Sequence, residues 1–436
     1  MAGLAFAAAS CCVFAAPAIA QQNYVRGVYE SGQDNTSPDL SLDDRLQQRQ
    51  LPVGAPIGPF LVYPSVQLDE SLNDNIFATP SGGIADAIST VTAATSVNYA
   101  KGSNTLETGG WVLGQVYATH SSEDNWQGDL HSTFTSTIHD DLQFVAKSQL
   151  QRLVDPRSDP SGVQGLTPTT YEVYRANGGM VIGHADHNLV NLSIGANKIS
   201  YDPLQGSTGP IVTGDRDNTE IYGDASFRHT FSPRRSAYLK VRPNTRNYNQ
   251  TFDQAGFQRS SSGVRVDTGV DWDIDSVVLV KLETGIQHQA YDDARFGTVN
   301  EPDGRINVSW WPSRRTNVSL NAVHEYYEGF FTPSPGAVRN KVTAQVEHEL
   351  RRRWIAGASF SFERDDLRDE PTHYTTEIAQ LSLKYLFADG FSAGVSYLFT
   401  NQTNSAAGAA TTTTTATSGA TSYKQNIVTF SVKKVF

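Results

Sequence analysis

The sequence predicts an all-β fold: a closed antiparallel transmembrane β-barrel of eighteen strands, with sixteen as the alternative count. Three observations predict it. Strand-like runs of alternating polarity recur from Phe60 to Phe436. Short connections alternate with long ones along that whole stretch. The chain also stops on an aromatic residue, in "NIVTFSVKKVF" (426–436), where a frayed polar tail is the usual ending.

Taken in order, the chain first shows a leader. Residues 1–20, "MAGLAFAAASCCVFAAPAIA", are apolar and uncharged and end in the A-x-A pattern Ala18-Ile19-Ala20. That pattern predicts a secretory signal peptide, although no Lys or Arg precedes the apolar run. Cys11 and Cys12, the only cysteines, would leave with it, so the mature chain has no disulfide or thiol chemistry. Residues 21–59 read as an irregular segment, periplasmic or inside the lumen, in which "SPDLSLDDRLQQRQ" has the spacing for one or two helical turns. The segment is too short for the plug domain of an energy-coupled transporter.

Residues 60–436 then carry the barrel. In "GVRVDTGVDWDID", Val264, Val266, Thr268, Val270 and Trp272 share one face, and Arg265, Asp267, Gly269, Asp271 and Asp273 share the other. Successive side chains of a strand point to opposite faces, so this segment has one wall for lipid and one for water. "VVLVKLETGIQHQ", "KVTAQVEHEL" and "FSAGVSYLFT" repeat the pattern.

Eight connections are short: 100–104, 139–141, 184–187, 232–235, 273–276, 311–315, 350–353 and 387–390. Longer polar loops fall between them at 73–85, 119–125, 153–170, 202–217, 250–259, 292–302, 329–337, 366–373 and 402–421. Tight periplasmic turns and longer outer loops are the habit of outer-membrane barrels. An even count places both termini on the short-turn side, so the last strand pairs with the first and leaves no open edge in lipid. Phe430, Val432 and Phe436 form the outer row of that last strand and resemble the signal read by the barrel-assembly machinery. Lys434 interrupts the row, at a rim where its amine reaches water.

Composition excludes several functions. The net charge is -11, with no basic tract, which argues against nucleic acid. The mean hydropathy of -0.37 looks soluble, yet a barrel shows only every second residue to lipid. No GxSxG, HExxH, phosphate-binding loop or paired CxxC occurs, so neither an enzyme nor a cofactor is expected. His184 and His187 in "HADH" sit at a tight turn and read as turn residues rather than metal ligands. "GDRDNTE" (214–220) and "ERDDLRDE" (363–370) read as solvated acidic outer loops, with bridging to lipopolysaccharide through divalent cations as the alternative.

"FLVYPSVQLDESLNDNIFATPSG" (60–82) resembles the first strand and loop of the Putative beta-barrel porin 2 family, most closely at Phe60, Tyr63, Pro64 and Asp74-Asn75-Ile76-Phe77. The resemblance implies an outer-membrane barrel linked to exopolysaccharide or capsule export. Its expected partners are outer-membrane lipids and lipopolysaccharide, the assembly machinery, polysaccharide and periplasmic export components. A general diffusion porin and a structural or adhesive surface barrel are the alternatives. The low-complexity loop "SAAGAATTTTTATSGATS" (405–422) fits the last of these.

Eighteen strands leave an aqueous lumen. Alternation turns Arg228, Lys240, Arg242, Arg246, Arg265 and Lys281 inward, against Asp224, Asp267, Asp271 and Glu283. That excess of cations leaves two readings, a mixed-charge wall that only solvates the lumen and a positive strip for an anionic glycan, with Trp111, Tyr222 and Tyr238 placed to stack on sugars.

Overall fold

The computed structural model describes Leu42 and residues 54–163, 165–207, 209–331, 333–405 and 422–436. Eighteen long strands form one closed antiparallel barrel. They are β1 (Phe60–Asn73), β2 (Asp86–Lys101), β3 (Asn104–Tyr117), β4 (Asn125–His139), β5 (Leu142–Val154) and β6 (Thr170–Gly183). Next come β7 (Asn188–Tyr201), β8 (Asn218–Ser232), β9 (Arg235–Tyr248), β10 (Ser261–Ile274), β11 (Val278–Tyr291) and β12 (Thr298–Ser313). The last six are β13 (Thr316–Glu328), β14 (Gly336–Arg351), β15 (Trp354–Leu367), β16 (His373–Leu386), β17 (Phe391–Asn404) and β18 (Tyr423–Val435). Each pairs with its sequence neighbour, and β18 returns to β1 with Ser65 opposite Val435 and Asn73 opposite Ile427.

Every short turn falls where the sequence places it. Local chemistry explains two of them. Asp389 and Gly390 both take positive φ, the backbone of a two-residue hairpin turn that Asp-Gly favours. Ser276 donates its N–H to the Asp273 carboxylate at 2.7 Å, which steadies the Asp275–Ser276 turn. One long loop is shorter than read. Residues 298–302, "TVNEP", open β12 rather than close a loop, because Pro302 is tolerated in a strand whose other neighbour is absent at that height.

The outer face carries the apolar row, with Leu72, Val112, Ile194, Phe227 and Ile286 exposed. Its periplasmic rim holds rings: Trp354 against Tyr385 at 4.9 Å, Tyr385 against Phe387 at 4.6 Å and Phe387 against Phe391 at 5.0 Å. Such aromatic girdles mark a membrane interface. Phe430, Val432 and Phe436 are all exposed on this face. Lys434 donates to the Asp389 carbonyl in the neighbouring turn and lies 5.8 Å over the Phe436 ring, so its charge stays at the rim.

Leader residues 1–20, all but Leu42 of the tract 37–50 with its helical spacing, and most of the low-complexity loop lie outside the described residues. Two described parts touch the segment read as irregular. Ala55–Ile57 pairs with β1 beyond the end of β18, Ala55 opposite Val62. Leu42 is buried, and its N–H donates to Glu347 Oε2 at 2.7 Å. Glu347 stands on β14, on the row opposite to exposed Val346, and therefore faces the lumen.

Candidate functional site: the channel lumen

The inner wall is a ladder of ion pairs. Arg228 (β8) donates to Asp271 (β10) at 2.6 Å, and Lys240 (β9) to Glu283 (β11) at 2.9 Å. Arg242 lies 3.5 Å from Asp224, and Arg246 reaches Glu328 and, at 3.5 Å, Glu220. Arg265 bridges Asp267, at 3.0 Å, and Asp303. Arg305 continues the line between Glu283 at 3.1 Å and Glu325 at 2.7 Å. Arg339 then meets Asp365 at 3.1 Å and Glu363 at 3.5 Å. Lys281 faces inward directly across from Asp271.

This geometry corrects the expectation of a positive strip. Five of its six cations, Arg228, Lys240, Arg242, Arg246 and Arg265, have a carboxylate within 3.5 Å. The sequence count left out Glu220, near the outer end of β8, and Asp303, Glu325 and Glu328, which stand on β12 and β13. The same finding corrects the reading of both acidic segments as solvated loops. Glu220, Glu363 and Asp365 are buried strand residues holding Arg246 and Arg339. The surrounding cations offset the repulsion among so many clustered carboxylates.

The rings assigned to sugar stacking face inward with their surfaces covered. Arg242 sits 3.8 Å above the Tyr222 ring. Lys240 and Arg228 flank Tyr238 at 4.7 and 5.4 Å, and its hydroxyl donates to Glu283. Trp111 packs against an apolar cluster of Leu153, Tyr171, Val173 and Ile199. Carboxylate oxygens of Asp267, Glu283 and Asp303 come within 4.8 Å of one another. Arg265, Lys240 and Arg305 pair with them, so this group is part of the ladder.

The outer mouth is covered by loops that interlock. The loop after β5 is pinned by Arg157, which donates to both oxygens of buried Glu123 at 2.5 and 2.9 Å. The Ser158 carbonyl accepts from Gln402 of β17 at 3.5 Å. Six strand-to-strand steps around the wall separate β5 from β17, so this loop crosses the opening. Its Asp155 is buried beside Asp159 and Arg216, and burial raises its pKa above the usual carboxylate range, with Asp159 adding to the rise and Arg216 opposing it. Arg216 and Arg259, from the next two outer loops, both lie over the Phe330 ring, at 4.5 and 4.3 Å.

Sequence reading also missed the clamp at the barrel seam. Asp74 accepts from the Asn426 N–H at 2.7 Å and from its side-chain amide at 2.6 Å. Asn75 donates to the carbonyls of Thr79 and Lys424 at 2.8 and 2.9 Å, and its own carbonyl accepts from Gln425 at 2.8 Å. The signal was present, since Asp74 and Asn75 stand in the stretch that carries the family resemblance.

A closed barrel with an apolar belt, an aromatic rim and an ion-lined interior defines an outer-membrane β-barrel channel of the porin kind. A family model described as Putative beta-barrel porin 2 matches residues 51–433, and the chain belongs to that family. It therefore resides in the bacterial outer membrane. No curated protein matches the chain. Among solved structures it is similar to OccAB3 of Acinetobacter baumannii, with 9% identity, a TM-score of 0.46, and 87% of this chain and 100% of that one covered. The outer membrane protein opdK of Pseudomonas aeruginosa gives 9% and 0.46, covering 86% and 99%. A mutant of the ferric enterobactin receptor PfeA of Pseudomonas aeruginosa gives 7% and 0.42, covering 89% and 81%. These three likenesses share a barrel at low identity, and the family match alone carries the assignment.

Proposed function

We propose that this channel passes small hydrophilic solutes with little preference for the sign of their charge. One observation carries the reading: Arg228, Lys240, Arg242, Arg246, Arg265, Arg305 and Arg339, on the luminal wall from β8 to β14, are each held against carboxylates. A paired wall presents dipoles and hydrogen-bonding groups to a passing solute rather than a net field. The covered mouth supports small cargo. The reversal potential across a planar bilayer under a salt gradient tests this reading. A value near zero is expected, and strong anion selectivity would overturn it.

Polysaccharide export, the finer function that the family resemblance implies, asks for rings free to stack and a mouth wide enough for a polymer. Tyr222, Tyr238 and Trp111 are covered by neighbours. Polymer secretion from cells lacking the gene separates the two readings. Unchanged secretion supports the diffusion channel, and its loss supports export.

A further inference from the structure

The barrel wall is incomplete at one place. Pairing between β12 and β13 runs from Ser313–Thr316 up to Gly304–His324 and stops there. Above that height β12 still pairs with β11, as far as Thr298 opposite Ala290. β13 still pairs with β14, as far as Glu328 opposite Gly336. The two strands part, and the outer end of the β13–β14 hairpin leaves the wall.

It goes inward. Tyr326 continues the outward row of Leu320, Ala322 and His324, yet it is only 3% exposed and its hydroxyl lies 2.7 Å from that of Tyr291 on β11. Glu328 accepts from Arg246 of β9 and lies 3.3 Å from the Ser261 hydroxyl of β10. Four strand-to-strand steps separate β13 from β9, about 19 Å along an intact wall at the usual strand spacing. An Arg and a Glu cannot bridge that distance unless the hairpin folds across the lumen. At its tip, Arg259 donates to the carbonyls of Gly329 and Ser334 at 3.4 and 3.2 Å.

The sequence keeps the hairpin out of the wall. Continuing the register would set Asp303 opposite Glu325, and like charges directly across a sheet repel. It would next require Pro302, which has no N–H to give to the ladder. Both residues oppose zipping, while Arg246 and Arg259 reward the inward position.

We propose that the outer end of the β13–β14 hairpin is the size filter of this channel, folded into the lumen and pinned there by the Arg246–Glu328 pair. This rests on the protein being a channel and not on the charge of its solutes. Two variants of the full-length protein, purified from outer membranes and checked for a folded barrel, test it. The first deletes residues 330–334. The second carries Arg246→Ser with Glu328→Ser, so that no buried charge is left alone. Single-channel conductance and liposome swelling with neutral sugars of increasing size are measured. The deletion is expected to raise conductance about twofold, the order set by an eighteen-strand lumen freed of an obstruction, and to admit larger sugars. The double variant is expected to switch between the native level and this higher level. A folded deletion variant with native conductance and native sugar limit overturns the proposal, as does a double variant that never leaves the native level. Ion selectivity is read separately from the reversal potential, so the filter and the proposed solute class fail independently.

Discussion

Asp155 shows what a buried carboxylate does to a loop. Its folded pKa is raised by burial and by Asp159, so folding favours the protonated form. The cost of that site is absent below the ordinary carboxylate pKa and grows as pH rises through it. The loop that crosses the mouth is therefore expected to be best protected from protease at mildly acidic pH and less so at neutral and alkaline pH. Asp155→Asn should flatten that dependence, with Asp159 and Arg216 still in place; a pH profile identical to the parent would show that Asp155 does not govern it. Arg157→Ala leaves the Glu123 carboxylate buried without its partner, a change that costs about 3–5 kcal/mol where a buried pair is broken. Amide hydrogen exchange across 155–163 should accelerate sharply in that variant while the barrel strands stay protected. Neither residue was legible as a site in the sequence, because an Asp or Arg in a loop of polar neighbours looks solvated until its partners are known.

Strands were the legible scale. Alternating polarity fixes which face meets lipid, and turn chemistry fixes where each strand ends, so both can be read from neighbours in the chain. What alternation hides is pairing between distant strands. Arg246 and Glu328 lie 82 residues apart, and nothing local links them. The same limit produced the positive strip, since Asp303 and Glu328, which hold Arg265 and Arg246, stand on β12 and β13, beyond the strands that were counted. Pro302 misled for a related reason: a proline signals a loop unless the missing neighbour is known. At this scale the last strand makes a testable demand. The Phe436 N–H donates to the Pro64 carbonyl at 2.9 Å, and its ring closes the outer row of β18. Deleting Phe436 is expected to lower the amount of protein reaching the outer membrane, with normal conductance in the barrels that do assemble. Undiminished outer-membrane levels would contradict this.

For the whole molecule, the ladder matters as a sum. Its charges are close together and of both signs, and salt screens each of them beyond about 10 Å at 0.1 M. Replacing Arg242, Arg246 and Arg265 together with Ser therefore does not remove a positive field; it strips partners from Asp224, Glu220, Glu328, Asp267 and Asp303. The variant channel is expected to become cation-selective, seen as a shifted reversal potential, and to lose thermal stability. A reversal potential equal to that of the parent would count against the ladder as the wall that solutes meet.

The seam between β1 and β18 carries one more consequence, in the order of events during biogenesis. Asp74 and Asn426 are 352 residues apart in sequence, so the contact that shuts the cylinder joins nearly the earliest part of the barrel to nearly the latest. Contacts of such separation form slowly, because the intervening chain must first be organised. Until β18 arrives, the edge of β1 waits open. Ala55–Ile57 lies along the stretch of that edge that β18 never covers, and it comes from the residues immediately upstream. The nascent barrel thus carries its own guard strand, which shortens the template that a second unfinished chain would find.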